Sequence, residues 1–282
     1  MTDFAVCLAG HPHDDTPPRI AAAAEAAGLD ALFLPENSHV PVARRAPDKF
    51  RGDMRLLARF YDPLVTLAAC AAVTTRLRLG TSVSLLTQRE PLATARAVAS
   101  LDQLSGGRLV LGVAGGFVRE AMAHHGSRFA QRWPLVRERV AAMRAMWCEA
   151  EPAYRGELVT LPTPCPSFPT RQPGGPPIWI GSNSLAVPAR VAAWADGWLV
   201  RPDLYPGDPH ADLDRACAEQ GRERATLTLA LMDAPSNLRA AAQAVAAGYD
   251  VLVFLVRGDS ADTLLRAVDA LALLAARLRA DG

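Results

Sequence analysis

The stretch RLRLGTSVSLLTQREPLATARAVASLDQLSGGRLVLGVAGGF, from Arg76 to Phe117, decides the fold class. It begins with an apolar run typical of a buried strand, and Pro91 then opens a helix, where its missing N–H costs nothing. Apolar residues recur at helical spacing as far as Leu104, and Gly106 and Gly107 end the helix. The run RLVLGVA is a second strand. This pattern predicts two parallel strands whose C-terminal ends lie side by side, where α/β folds bind ligands.

The same alternation continues through the whole chain. Strand-like runs lie at 4–9, 30–34, 77–85, 108–114, 177–181, 197–200, 225–231 and 250–256. Helix-like runs lie at 17–28, 62–74, 91–104, 132–149, 184–195, 209–221, 236–247 and 260–279. Eight strands alternating with helices predict an α/β protein, a closed (β/α)8 barrel in a single domain over 1–282. The structural alternative, an open doubly wound sheet, usually needs fewer strands and would expose two edges.

Two segments exceed what a minimal barrel needs. Residues 35–61 follow the second strand, and residues 150–176 are rich in proline and follow the fourth strand and its helix. Loops of this length in a compact domain are usually functional or mobile, so we expect two insertion loops. Five basic residues lie within twelve positions of the first segment, namely Arg44, Arg45, Lys49, Arg51 and Arg55. They predict either a basic rim that attracts an anionic ligand or a solvated loop.

Composition narrows the range of functions. The 282 residues carry a formal net charge of +1, which gives no general attraction to nucleic acid or membrane surfaces. The five cysteines are widely spaced and include no CxxC, so a disulfide framework or a zinc site is not expected. The N-terminus lacks the charged and apolar regions of a signal peptide, and no apolar run reaches membrane-spanning length. We therefore expect a cytoplasmic protein.

The residues just past each strand should converge on one mouth of the barrel. That mouth is polar, rich in glycine and lightly charged, which suits a flat cofactor better than a metal cluster. Its candidates are Glu36, Asn37, His39, Ser82, Val83, Gly115, Gly116, Gly181, Ser182 and Asn183. His11 and His13 could indicate a metal site, but an ordinary loop is the better interpretation of this pair. His124 and His125 are adjacent and would not share a helix face, so we assign them no site.

The runs GLDALFLPENSHVP, EPLATARAVASLDQLSGGRLVLGVAGG and PPIWIGSN, followed by AAWADGWLV, resemble the bacterial luciferase-like superfamily. More closely, they are similar to its branch that uses the deazaflavin coenzyme F-420. The resemblance spans roughly residues 4–202, and LDQLSGGRLVLGV is its most specific phrase. It implies a (β/α)8 barrel with an insertion and a cofactor ring in the barrel mouth. The ring would lie against a bulge that often contains a non-prolyl cis peptide, here at Ser82–Val83.

Several roles follow from this resemblance together with the residue chemistry. Gly181 and the N–H groups of Ser182 and Asn183 precede a helix and could hold a phosphate, although Gly181 could merely ease a tight turn. Gly115 and Gly116 would allow close approach of the cofactor, or serve a turn with positive φ. Many relatives carry an acidic residue followed by histidine where this chain has Glu36 and Asn37. Asn37 can hydrogen-bond a ring carbonyl but cannot shuttle a proton.

The candidate catalytic residues are therefore His39 and Glu36. A histidine titrates in the range that general acid catalysis needs, and Glu36 could hydrogen-bond within the active site. Some relatives have a catalytic glutamate where this chain has Gly115, so their sugar-phosphate dehydrogenase activity is not expected here. No residue is predicted to bind a metal.

The expected function is an F-420-dependent oxidoreductase that transfers hydride to or from a small-molecule or peptide substrate. Reduction of an activated C=C or C=N bond is preferred. One alternative is a monooxygenase that takes reduced FMN from a partner reductase, and another is a barrel that binds a flavin without turnover. We expect a separate reductase to recycle the cofactor, a possible homodimer, and no nucleic-acid or membrane partner.

Overall fold

A computed structural model describes residues 2–10, 14–42, 57, 59–161 and 163–280. The strands are β1 (Asp3–Leu8), β2 (Ala31–Leu34), β3 (Arg78–Thr81), β4 (Ser84–Leu85), β5 (Leu109–Ala114), β6 (Tyr154–Arg155), β7 (Thr160–Leu161), β8 (Ile178–Gly181), β9 (Gly197–Val200), β10 (Thr228–Met232) and β11 (Val251–Val256). The helices are α1 (Thr16–Ala26), α2 (Pro63–Ala72), α3 (Pro91–Leu104), α4 (Arg119–His124), α5 (Arg132–Cys148), α6 (Val187–Trp194), α7 (Pro209–Gln220), α8 (Leu238–Ala246) and α9 (Ala261–Ala280).

Eight parallel strands close into a barrel, in which β3 and β4 together form the third strand. The neighbour order runs from β3 through β2, β1, β11, β10, β9 and β8 to β5. The ring closes because β5 also pairs with β3, with Leu79 opposite Leu109 and Gly80 opposite Val110. The predicted (β/α)8 barrel is confirmed, and the open-sheet alternative is wrong because the sheet has no free edge at this seam.

The third strand is the one that departs from its predicted course. It was expected to run through 77–85, but it stops at Thr81 and resumes at Ser84. Between these pieces lies a cis peptide bond, Ser82–Val83, as the resemblance implies. Across the seam, the Thr81 hydroxyl donates to the Gly112 carbonyl at 2.6 Å. A Cβ on Gly112 would lie 2.0 Å from the Thr81 carbonyl oxygen, so only glycine allows the two strands to pass this closely.

Alternation along the strands separates two apolar cores. In β1, Phe4, Val6 and Leu8 face the surrounding helices, whereas Ala5 and Cys7 face the inside of the barrel. Inside the barrel, the rings of Phe33 and Trp179 stack with centroids 5.7 Å apart. The barrel is therefore a filled cylinder, and space for a ligand remains only at its ends.

The predicted helix boundaries follow local chemistry. Asp62 caps α2 by accepting the N–H groups of Leu64 and Val65, directly before Pro63. Glu90 caps α3 in the same way before Pro91, and Gly106 and Gly107 adopt positive φ after that helix ends. No helix among the described residues has both the length and the apolar character needed to cross a bilayer.

The described residues include less than half of the segment 35–61 but nearly all of the segment 150–176. Most of 35–61, including the five basic residues named above, lies outside the described residues. The 150–176 segment joins α5 to β8 and contains the small antiparallel hairpin of β6 and β7. The Glu138 carboxylate on α5 accepts the N–H groups of Glu157, Leu158 and Val159 at the turn of this hairpin.

Candidate active site

A cavity of about 810 Å³ opens at the C-terminal ends of the barrel strands. We call it the mouth cavity. All eight predicted cofactor-binding residues line it, together with Glu36, whereas His39 does not. The residues in question are Glu36, Asn37, Ser82, Val83, Gly115, Gly116, Gly181, Ser182 and Asn183. Closure of the barrel thus brings together residues that are up to 147 positions apart in the chain, from Glu36 to Asn183.

The Ser82–Val83 bulge faces the cavity from the third strand. The Ser82 N–H donates to the Leu34 carbonyl at 2.8 Å, and the Ser82 hydroxyl lies 3.5 Å from the Met232 sulfur. A Cβ on Gly181 would lie 2.4 Å from a methyl carbon of Val83. Glycine at position 181 therefore makes room for the Val83 side chain, which is a third explanation beside the phosphate and the tight turn.

Glu36 is buried at the end of β2 and is engaged on both oxygens. One oxygen accepts the Ser84 hydroxyl at 2.7 Å and the Leu85 N–H at 2.8 Å. The other accepts the Arg89 Nε–H at 2.7 Å and lies 2.6 Å from Arg89 Nη2. Arg89 also reaches Asp62 at 2.6 Å. This carboxylate fastens the strand piece that follows the cis peptide bond, and its predicted role in catalysis stays a prediction.

His39 lies just outside the cavity and contacts two histidines that had been assigned no site. Its Nε2 is 2.8 Å from Nδ1 of His124, and Ser38 bridges its Nδ1 to Nε2 of His125 with two contacts of 2.9 Å. The argument from helix faces fails for this pair because α4 ends at His124, and His125 turns away as the residue that caps the helix. His39 as a proton donor stays a prediction.

The loop after β8 is held in place by its neighbours. The Trp198 indole N–H donates to the Ser182 carbonyl at 2.8 Å, and the Arg201 backbone N–H donates to Oδ1 of Asn183 at 2.8 Å. Because Ser182's carbonyl is directed to Trp198, the loop is oriented before any ligand arrives. The loop lies directly before α6, which makes its N–H groups candidates for an anionic ligand.

Three arginines near this loop lie beyond the predicted site. Arg132 lines the cavity, and its side chain packs where a Cβ on Gly115 would lie, at 3.0 Å. The guanidinium groups of Arg119 and Arg132 lie 3.8 and 3.9 Å from the centre of the Phe129 ring. Arg190 lies over Trp133, and one buried nitrogen of its guanidinium has no hydrogen-bond partner in the described part of the chain. Among the described residues none of the three forms an ion pair with a carboxylate.

These arginines act on one another electrostatically. Burial and the charge of Arg119 lower the pKa of Arg132, and burial and the charge of Arg132 lower the pKa of Arg190. Guanidinium groups nevertheless remain charged in proteins. The result is an uncompensated positive region beside Gly115 and Ser182. Sequence spacing could not reveal it, because Arg132 looks like any polar residue of an amphipathic helix.

The part of the cavity wall next to this loop, after β9 and β10, carries a paired set of charges. Arg201, after β9, contacts the carboxylates of Asp203 at 2.8 Å and Asp233 at 2.9 Å. Asp233 is the only non-glycine residue with positive φ in the described part of the chain, at 63°. Aspartate tolerates this conformation better than most residues. Below them, burial raises the pKa of the Cys7 thiol to about 12, so Cys7 is a neutral part of the cavity floor.

The arrangement can hold a planar group against backbone and glycine, with an anionic group at the arginines. A cavity of this volume matches a cofactor-sized ligand. Within the described ranges, no group of three or more His, Cys, Asp or Glu side chains is arranged to hold a metal ion.

Comparison with known proteins agrees with this geometry. A family model described as luciferase-like monooxygenase matches residues 9–279. The chain belongs to this luciferase-like family. An uncharacterized protein of Mycobacterium tuberculosis is 35% identical over 216 residues, which cover 74% of this chain and 76% of that protein.

Two solved structures illustrate the range of luciferase-like barrels that this chain resembles. The monooxygenase RslO1 from Streptomyces bottropensis superposes with a TM-score of 0.74 at 17% identity, covering 98% of this chain and 99% of that one. The coenzyme F-420-dependent tetrahydromethanopterin reductase from Methanopyrus kandleri superposes with a TM-score of 0.73 at 14% identity, covering 96% and 97%. At these identities the likeness shows the shared fold.

Proposed function

We propose that this luciferase-like protein is an F-420-dependent oxidoreductase that transfers hydride to or from an organic substrate. Reduction of an activated C=C or C=N bond is the preferred direction. The observation that carries the proposal is the mouth cavity itself, which is lined by glycines, by Ser82 and Val83, and by Arg132, an arginine that forms no ion pair with a carboxylate among the described residues. This cavity suits a planar ring, and the arginines suit the phosphate and carboxylates of a deazaflavin side chain.

The residues present fit such a cofactor. The buried, unpartnered nitrogen of Arg190 and the ring-stacked guanidinium of Arg132 both call for an anion. Gly115 leaves room for the side chain of Arg132, which lines the cavity, and Gly116 adopts positive φ at 73°. When bound, the deazaflavin would supply the hydride chemistry, while this chain would supply position and exclude water.

The chain's own contribution would be to orient both partners. Asn37 would hydrogen-bond the ring, and the N–H groups of Ser182 and Asn183 would hold the phosphate. His39 remains the proposed proton donor, and Glu36 would keep the bulge in its present position. The substrate would occupy the rest of the cavity, near Arg201 and Asp233, which can hydrogen-bond polar groups.

The second candidate is a monooxygenase that uses reduced FMN from a partner reductase. It is favoured by the description of the matching family model and by the likeness to RslO1. FMN carries one phosphate, which the same arginines could hold. A separate reductase that recycles the cofactor, a homodimer and a cytoplasmic location remain proposals that accompany either function.

Fluorescence titrations of the full chain with F-420 and with FMN test the proposal. We expect F-420 to bind more tightly, and Arg132→Gln to weaken its binding at least about tenfold, since one charge-assisted contact contributes about 1.5–3 kcal/mol. Arg137→Gln is the matched control, because Arg137 is an exposed residue of the same helix. Tight binding of FMN alone would support the monooxygenase. Binding of neither would overturn both functions.

A further inference from the structure

Three histidines from two separate segments form one hydrogen-bond network with a serine hydroxyl at the rim of the mouth cavity. Ser38 Oγ lies 2.9 Å from His39 Nδ1, 2.9 Å from His125 Nε2 and 2.7 Å from Gln88 Oε1. His39 Nε2 lies 2.8 Å from His124 Nδ1, and these two rings stack with centroids 5.0 Å apart. Hydride transfer does not require such a network, so the network needs a separate explanation.

When all three histidines are neutral, only one arrangement of the ring and hydroxyl hydrogens satisfies every contact. The carbonyl oxygen of Gln88 can only accept, so the one hydroxyl hydrogen of Ser38 goes there. His39 and His125 must then both donate to Ser38, which uses both of its lone pairs. His39 is left with an accepting Nε2, to which His124 Nδ1–H donates. Every hydrogen bond is made when all three histidines are neutral.

Added protons affect the three rings differently. A proton on the free Nε2 of His124 leaves the bond from its Nδ1–H to His39 in place. A proton on His39 also keeps that bond if His124 takes its other tautomer and accepts the His39 Nε2–H through Nδ1, so the bond breaks only when both rings are charged. A second proton also places like charges on neighbouring rings, whose centroids lie 5.0 Å apart for His39 and His124 and 5.6 Å apart for His39 and His125, and these charges repel each other.

The network joins two walls of the mouth cavity. On one side, Ser38 and His39 directly follow Glu36 and Asn37, which line the cavity. On the other side, α4 begins three residues after Gly116. Val40 packs against the buried residues Val118 and Ala121 in the same contact region. The contacts around Ser38 therefore decide whether the segment 35–42 stays against α4.

We propose that Ser38, His39, Gln88, His124 and His125 form a pH-sensitive latch, which holds the segment 35–42 against α4 while the histidines share at most one proton and releases it when they gain more. Release would shift Asn37 away from the cavity. The affinity for a ligand would therefore decrease as the pH is lowered, for reasons unrelated to catalysis. We call these five residues the histidine latch.

The electrostatic surroundings agree with the direction of the switch. Burial lowers the pKa of His125, and the charges of His39, His124 and Arg139 lower it further, whereas Glu36 on the neighbouring segment raises it. Glu36 is itself neutralised by Arg89. Because the pKa of His125 in the folded protein lies below its ordinary value of about 6.5, the latch is strongest above that pH. The stabilisation that the latch provides is lost as the pH falls below this ordinary value.

Hydrogen exchange of the full chain without ligand, followed by mass spectrometry at about pH 7.5 and about pH 5.5, tests the latch. After correction for intrinsic rates, we expect amides of 36–42 and 119–126 to exchange about tenfold faster at the lower pH, which is the effect of losing about one hydrogen bond. Amides of β11 should change little.

Variants separate the latch from general acid sensitivity. In the double variant His124→Asn and His125→Gln, amide N–H groups take the places of Nδ1–H and Nε2–H without titrating, so slow exchange should persist at both pH values. Ser38→Ala should exchange fast at both. His210→Gln, which alters a histidine outside the latch, should respond as the parent does. An unchanged pH response in the double variant, or full protection in Ser38→Ala, would overturn the proposal.

A measurement on the unaltered chain guards against variants that do not fold. Titration of the His125 ring protons by NMR should show a pKa below the ordinary value of about 6.5. A His125 pKa at or above that value would refute the latch.

Discussion

Glu36 makes three hydrogen bonds and an ion pair at the mouth of the barrel. The variant Glu36→Gln tests how much these contacts contribute to the free energy of unfolding. An amide has one accepting oxygen, and its NH2 group would face the Arg89 guanidinium. We expect the free energy of unfolding to fall by about 2–3 kcal/mol, less than for an isolated buried pair because Arg89 keeps Asp62. Urea denaturation measures this change.

The control for this variant is Glu151→Gln, since Glu151 is exposed. It should change stability by less than about 0.5 kcal/mol. If Glu36→Gln instead leaves stability unchanged and lowers only the turnover rate, then Glu36 acts on the substrate and the positioning role described above is wrong.

The Val83 side chain occupies the space that a Cβ at position 181 would need, so glycine is favoured there even without a ligand. Gly181→Ala would place a Cβ 2.4 Å from a Val83 methyl carbon, and overpacking of this kind costs about 1–3 kcal/mol. The double variant Val83→Ala and Gly181→Ala should recover part of the loss, because the clashing methyl is gone. Thermal or urea unfolding of both variants measures the recovery.

Gly10→Ala is the matched control for this substitution, because the nearest atom to its new Cβ would be 4.0 Å away. It should be nearly neutral. A Gly181→Ala variant as stable as the parent would show that Val83 can move aside, and would return Gly181 to the phosphate or turn explanations.

At the scale of elements, the Glu25 carboxylate connects α1 to the start of β3. It accepts the backbone N–H groups of Thr75, Arg76 and Leu77 at 2.7–3.0 Å, together with the Thr75 hydroxyl. Burial alone would raise the pKa of Glu25, but the N–H groups of Leu77, Arg76 and Thr75 outweigh it and lower the pKa to about 2. The ionised carboxylate thus orders the turn that leads into the third strand.

Glu25→Gln should therefore lower the free energy of unfolding by about 1–2 kcal/mol near pH 7, where solvent screens part of the effect. Because the folded pKa lies below the unfolded value of 4.5, this contribution is complete above 4.5 and is lost as the pH falls towards 2. The difference between parent and variant in urea denaturation should shrink between about pH 7 and about pH 3. Glu149→Gln, at an exposed position, should show no such convergence.

The elements also show what local patterns can predict. Helices α2 and α3 begin at Asp62–Pro63 and Glu90–Pro91, where caps and prolines act within a few residues, so their starts were predictable. The short helix α4 was not predicted, because six residues are too few for a periodic pattern. The break after Thr81 was predictable only from the resemblance, since RLRLGTSVSLL reads as one continuous strand.

At the scale of the whole molecule, barrel closure explains which site residues could be predicted. Asn37, Gly115 and Ser182 lie directly past strand ends, and closure of the ring carries such residues to one mouth. Arg132 and His125 lie in or beside helices, and their side chains reach the mouth only through packing that no local pattern encodes. The residues predicted from strand order line the cavity, and those that were missed supply much of the charge around it.

Both cores of the molecule contain a thiol that must stay neutral. Cys7 lies inside the barrel and Cys70 lies between the barrel and its helices. Burial raises the pKa of each from 9.0 to about 12. A raised folded pKa contributes stability that is complete below the unfolded value and is lost as the pH rises through the folded value. The protein should therefore lose stability from about pH 9 upwards.

Urea denaturation in reducing buffer at about pH 8 and about pH 10 measures this loss. Each thiol should account for about 1 kcal/mol, because the unfolded chain releases a proton that the folded chain retains. The variant Cys7→Ala and Cys70→Ala should start less stable, since it removes buried volume, but should lose about 2 kcal/mol less than the parent between the two pH values. Cys148→Ala, at an exposed position, should keep the parent's full loss. Equal losses in all three proteins would mean that tyrosines such as Tyr205, whose pKa burial also raises, govern the alkaline limb instead.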